Sequence, residues 1–100
     1  MYLSLYTFTG PRDTLLEGWH RMAEQIGTQE LDLHLAVVTE TGLTLVDACP
    51  DRATMERFST SPDFAALVAA CDLPMPVVTP LGELHAAFLR SGVAQSPVHA

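Results

Sequence analysis

The stretch Leu31-Asp32-Leu33-His34-Leu35-Ala36-Val37-Val38-Thr39-Glu40-Thr41-Gly42-Leu43-Thr44-Leu45-Val46-Asp47-Ala48-Cys49 reads as two strand-forming arms joined at Glu40-Thr41-Gly42. Both arms are rich in Leu, Val and Thr, which suit a pleated, half-buried surface, and a glycine at the junction signals a hairpin. Pairing Glu40 with Leu43 sets Thr39 against Thr44, Val37 against Val46, Leu35 against Ala48 and His34 against Cys49. Alternate residues of a strand take alternate faces. One face then carries Leu33, Leu35, Val37, Val46 and Ala48, an apolar layer expected beneath helices. The other carries Asp32, His34, Ala36, Val38, Leu43, Leu45, Asp47 and Cys49, too apolar to be left in water but interrupted by polar groups.

Working outward, Tyr2 to Thr9 is uncharged and rich in Tyr, Phe, Leu and Thr, and it stops at Gly10-Pro11, so it reads as a strand. Beyond Pro11, the residues Leu15, Leu16, Trp19, Met22, Ala23 and Ile26 recur three and four apart, the spacing of one helix face, and Gly27 is a left-handed stop. On the other side, Cys49-Pro50-Asp51 ends the hairpin, with Asp51 placed to cap a short helix through Met55 and Phe58. Ser61-Pro62-Asp63 is a second helix start, before Phe64, Leu67, Val68 and Cys71, so the second helical region is broken in two. Pro74 and Pro76 close it, and Val77 to Phe88 reads as a last strand, bent or bulged near Pro80 and Gly82. The order βαββαβ predicts an α+β, ferredoxin-like fold, a four-stranded antiparallel sheet with its helices on one face. The domain spans 1–89, and 90–100 reads as a flexible tail of small and polar residues.

One hundred residues suffice for one such domain. Five basic residues, all Arg, stand against twelve acidic ones for a net charge of −7, which excludes the basic footprint that nucleic acid or an anionic membrane requires. The longest apolar run, Phe64 to Cys71, is far short of the roughly 18 residues of a membrane span. With no basic, apolar leader, the expectation is a soluble cytoplasmic protein whose two cysteines, Cys49 and Cys71, are free thiols. Nothing in the chain is left over to cover the second sheet face. The economical cover is a second copy, sheet facing sheet about a two-fold axis, which makes a homodimer whose interior holds the polar groups of that face.

Among those groups His34 is a titratable ring in an apolar strand, readable as a base or ligand contact, or as a core histidine bonded to Asp47 or to a backbone carbonyl. Asp47 can orient the imidazole and raise its basicity, or serve as a buried structural carboxylate. His85 shares a strand face with Glu83. Tyr2, Tyr6 and Phe8 lie on one face of the first strand, where they line an aromatic pocket or pack as core. Trp19 falls on the apolar stripe of its helix, where packing is the simpler role, and His20 turns to solvent. Cys49 shares the face of His34, but no oxyanion hole accompanies a Cys-His pair. No local spacing supports a metal set of His34, His85 and a carboxylate, and no glycine-rich loop signals a nucleotide.

The chain resembles the small dimeric α/β-barrel proteins similar to antibiotic biosynthesis monooxygenases, from about Tyr2 to Phe88. The likeness rests on the His34 strand, on Thr41-Gly42-Leu43-Thr44-Leu45-Val46-Asp47, on Glu56-Arg57-Phe58 and on His85. Many relatives read Val-Asp-x-Trp-x-Ser before the second helix, where this chain has Val46-Asp47-Ala48-Cys49-Pro50-Asp51, with Cys49 in place of the Trp and Asp51 in place of the Ser cap. The resemblance implies a homodimeric enzyme using neither metal nor organic cofactor. A base such as His34 or His85 removes a phenolic or enol proton, the anion reacts with oxygen, and Tyr6 and Asp47 hold the substrate. Read from their strand positions, Tyr6, Phe8 and Cys49 are the candidate substrate-contacting residues. Members of this superfamily differ in chemistry, so a non-catalytic dimeric module that binds a small apolar or aromatic ligand stands as the alternative, and an isomerase using the same base as a third reading.

Overall fold

The strand β1 (Tyr2–Thr9) alternates Tyr2, Ser4, Tyr6 and Phe8 with Leu3, Leu5, Thr7 and Thr9, and the first set is buried while the second is only partly covered or exposed. That alternation decides which side of the sheet receives the helices. In the computed structural model, which describes residues 1–26 and 32–88, β1 is followed by α1 (Arg12–Ile26), β2 (Leu33–Thr39), β3 (Gly42–Cys49), α2 (Arg52–Ser59), α3 (Pro62–Ala70) and β4 (Val77–Glu83). The strands form one antiparallel sheet in the order β2-β3-β1-β4, the ferredoxin-like arrangement, with the helices packed on one face. The glycine stop at Gly27 and the tail from Arg90 to Ala100 lie outside the described residues.

The local signals act as their chemistry dictates. Asp51 accepts a bond from the Thr54 backbone N–H at 2.8 Å and caps α2, and Ser61 does the same for Phe64 N–H at 3.1 Å with Pro62 opening α3. The bulge expected near Pro80 and Gly82 is present, because Ser4 pairs with Pro80 while the preceding Leu3 pairs with Gly82, leaving Leu81 unmatched. The last strand ends at Glu83 rather than at Phe88; Leu84 N–H still reaches the Met1 carbonyl at 2.8 Å, and His85 to Phe88 run on outside the sheet.

Two expectations about the hairpin need correction. Its turn closes one residue earlier on each arm, so that every β2 residue meets a partner two positions earlier than expected, with Thr39 opposite Gly42, Val37 opposite Thr44, Leu35 opposite Val46 and His34 opposite Asp47. Gly42 takes φ +156°, and a Cβ there would lie 2.1 Å from the Phe8 carbonyl oxygen, so only glycine fits the approach. A two-residue shift preserves which residues share a face, because the side-chain period is two. The second correction is the choice of face. The helices cover the side bearing His34, Leu43, Leu45 and Asp47, where Leu43 and Leu45 join Tyr6, Phe8, Leu15, Trp19, Met22, Phe64 and Val68 in the core. The uncovered side is that of Leu35 and Val37. The edge strand β2 is exposed on both faces, with Val38 on the helix side as exposed as Val37 at 45%, so the buried Leu43 and Leu45 of β3 beside Tyr6 and Phe8 of β1 mark the covered face. His34 and Asp47 therefore lie inside the subunit, between sheet and helices, and not in a space enclosed by two sheets. Both hairpin faces are apolar, so the hairpin alone does not choose; the three aromatic rings of β1 choose, since they bury the most area.

Candidate functional site

Between the sheet and the helices lies a cavity of about 130 Å³. Its sheet side is made by Ser4, Tyr6 and Phe8 of β1, His34 of β2, and Leu45 and Asp47 of β3; Met22 and Ile26 of α1 close one flank and Met55 and Phe58 of α2 with Phe64 of α3 the other. The rings of Phe58 and Phe64 meet with centroids 4.8 Å apart, and Tyr6 presents to Phe64 an edge contact at 5.7 Å. Phe58 is 38% exposed and so stands at the mouth, whereas Tyr6 and Phe8 are buried. The capping of α3 by Ser61 is what fixes Phe64 against this wall.

A polar chain borders the apolar cavity. Trp19 Nε1 lies 3.0 Å from His34 Nε2, and His34 Nδ1 lies 2.5 Å from Asp47 Oδ1. Indole N–H only donates, so Nε2 accepts and the imidazole proton sits on Nδ1, from which it is donated to the carboxylate. The imidazole is neutral in this arrangement. The Trp19 and His34 rings are inclined by only 7° with centroids 5.9 Å apart, the geometry of two rings side by side and joined in plane by the bond. Trp19, assigned to packing by its helical spacing, thus also holds the histidine from across the sheet-helix gap, a role that spacing alone does not reveal.

The other candidate groups fall into place around this pair. Burial pushes the Tyr6 phenol up to about 12, against a hydrogen bond with Ser4 that pulls the other way, and Asp47 and Cys49 add to the rise. Tyr6 is therefore a neutral hydroxyl over the whole ordinary pH range. Ser4, a residue the sequence reading passed over, is the one buried polar side chain among the described core residues and meets that phenol. Burial also raises the Cys49 thiol, with the carboxylates of Asp51, Asp32 and Asp47 pushing the same way against the backbone at Asp51. A thiol kept protonated is a poor nucleophile, which disfavours a Cys49-His34 pair. Cys49 nevertheless lines the cavity.

His85 does not join the site. It is exposed beyond β4, beside Leu3, Leu81 and Gly82 in a shallow depression, while His34 is on β2 at the other edge of the sheet. Three strand spacings, roughly 14 Å, separate the two edges. The chain's terminal ammonium takes Glu83 at 3.4 Å. Among the described residues no three His, Cys, Asp or Glu side chains converge as a metal site, and no helix is long and apolar enough to cross a membrane. Both cysteines are free. The arrangement offers a chamber with mainly apolar and aromatic walls, a neutral phenol, and a carboxylate-imidazole pair at its border. Comparison of the chain with family models, with curated proteins and with solved structures returns no match.

Proposed function

We propose that the chain acts as a homodimer in which each subunit binds a small aromatic or phenolic molecule in the cavity between sheet and helices. In this reading it oxidises that molecule in the manner of the cofactor-independent monooxygenases that its sequence resembles. The observation that carries the reading is the Asp47-His34 pair bordering an otherwise apolar, aromatic-walled cavity. For His34 to take a proton, the substrate hydroxyl must displace the Trp19 N–H from Nε2; Asp47 then stabilises the imidazolium that forms. The resulting phenolate is electron-rich and passes electrons to dioxygen; the two recombine as a hydroperoxide, which loses water to leave a quinone. Phenol and O2 thus become quinone and H2O with the substrate as the only reductant, while the walls exclude bulk water. The open face of Leu35 and Val37 supports the dimer, since an apolar sheet surface is covered most simply by its own copy.

A second reading is favoured by one observation, the occupation of Nε2 by the Trp19 N–H. A histidine with both nitrogens satisfied is a finished structural group, and the protein is then a ligand-binding module without a reaction. One experiment separates the two. The purified protein is heated with a panel of phenols and quinones, and oxygen uptake is followed for those that stabilise it. Saturation at a hundredfold excess over Kd adds about 2.7 kcal/mol to the stability. The enzyme reading expects oxygen consumption with a bound phenol that is lost in His34→Ala. Binding without consumption leaves the module, and absence of binding by every phenol and quinone overturns both.

A further inference from the structure

The charge inside the cavity narrows what it can hold. Asp47 is the one carboxylate among the described lining residues, none of which is an arginine, and the chain has no lysine. The described arginines are engaged elsewhere. Arg12 meets Asp13, Arg21 the Cys71 carbonyl and Asp72, and Arg52 Glu56; Arg57 meets the lining residue Thr54 through its hydroxyl on the exposed side of α2. The imidazole of His34 is neutral in the observed hydrogen-bonding pattern, so it offsets none of the Asp47 charge. Tyr6, Ser4 and Cys49 add only uncharged groups. An anion entering this space would lose its hydration and meet a carboxylate across a medium that screens poorly, with no cationic side chain among the described lining residues to pair with.

The volume sets a second limit. An apolar cavity of roughly 150 Å³ accepts one benzene ring. At about 130 Å³, the space here fits a single ring with a small substituent, with the partly exposed Phe58 in its lining. A carboxylate has about four lone-pair directions, of which His34 takes one, so Asp47 can accept from a ligand hydroxyl in the resting complex, before that hydroxyl turns to His34 Nε2 to give up its proton.

Resting on the reading of this cavity as a ligand site, we infer that it selects single-ring, uncharged aromatic molecules carrying a hydrogen-bond donor, and that Asp47 excludes aromatic carboxylates of the same size. The test needs no variant. Calorimetric titration of the intact protein at neutral pH compares para-cresol, para-toluate and para-toluamide, which share a ring and a methyl group and differ in charge, with a hydroxyanthracene as the three-ring probe. Para-cresol and the amide are expected to bind, the toluate at least tenfold more weakly, and the hydroxyanthracene more weakly than para-cresol. Toluate binding equal to or tighter than that of the amide overturns the charge selection, and hydroxyanthracene binding tighter than para-cresol overturns the size selection, while the cavity remains a ligand site in both cases. Binding by none of the four overturns the ligand site itself. As a further arm, Asp47→Asn, whose amide oxygen still accepts the His34 Nδ1–H, is expected to narrow the gap between toluate and toluamide. An unchanged gap in a variant with native-like Trp19 fluorescence counts against Asp47 as the selecting group.

Discussion

Trp19, His34 and Asp47 form a one-directional chain of hydrogen bonds that ends on the Asp47 carboxylate as acceptor, and the direction has consequences for each residue. Removing the indole N–H leaves a partly buried acceptor at His34 Nε2 without its partner, which costs about 1–3 kcal/mol beyond the lost packing. Trp19→Phe is accordingly expected to be destabilised, and a double-mutant cycle with His34→Phe should give a coupling of at least about 0.5 kcal/mol in urea unfolding. A coupling near zero means that the two rings merely pack. Tyr6 supplies a second handle. Its phenol ionises near 10 when unfolded and near 12 in place, so between those values the unfolded chain binds fewer protons and stability falls as pH rises. Two pH units correspond to about 2–3 kcal/mol, present in full below pH 10 and lost by about pH 12. Tyr6→Phe should flatten the alkaline limb of a stability-pH curve; an unaltered limb would show that the phenol is not held neutral by the fold. Of this site the sequence made the His34-Asp47 partnership readable, because both residues recur on one face of the hairpin. Trp19 was not readable as a partner, since its reach depends on how α1 is rotated over the sheet, and Ser4 was hidden by being small and uncharged.

At the scale of elements, α1 lies against the turn that follows α3. Gly18 faces this contact, and a Cβ there would stand 2.5 Å from Leu73 Cδ2 and 2.9 Å from the Cys71 carbonyl oxygen. The leucine tip can move, but the backbone oxygen cannot without shifting the end of α3. Gly18→Ala is therefore expected to cost about 1–3 kcal/mol although alanine favours helices, and a stabilised variant by thermal melting would contradict the close approach. The same contact shows where sequence patterns carry and where they stop. The break between α2 and α3 is spelled out by Ser61-Pro62-Asp63, because capping is local chemistry. The burial of a glycine within α1 is not spelled out, because it reflects a neighbour fifty residues away. The choice of sheet face is intermediate: Leu33, Leu35 and Val37 are as apolar as Leu43 and Leu45, and only the bulk of Tyr2, Tyr6 and Phe8 on the neighbouring strand tips the sheet toward the helices.

For the whole molecule, placing the cavity beneath the helices separates two proposed roles, self-association and ligand binding, that the hairpin pattern had merged. The open face, with Leu35 and Val37 half exposed and Val77 exposed at 67%, is the proposed contact between copies, and the ligand cavity lies on the other side of the same sheet. Assembly and binding are then independent to first order. A charge at Leu35, which projects from the open face, puts two carboxylates into an apolar interface across a two-fold axis but disturbs little in a single subunit, where the position is already half in water. Leu35→Glu is expected to sediment as a monomer at micromolar concentration where the parent chain sediments as a dimer, to lose no more than the concentration-dependent part of its melting temperature, and to bind para-cresol with an unchanged Kd. A parent chain that is itself monomeric at that dilution removes the proposed interface. A monomeric variant that no longer binds would mean that the sheet needs its copy to hold Tyr6 and Asp47 in place, and that the two faces are coupled through the strands they share.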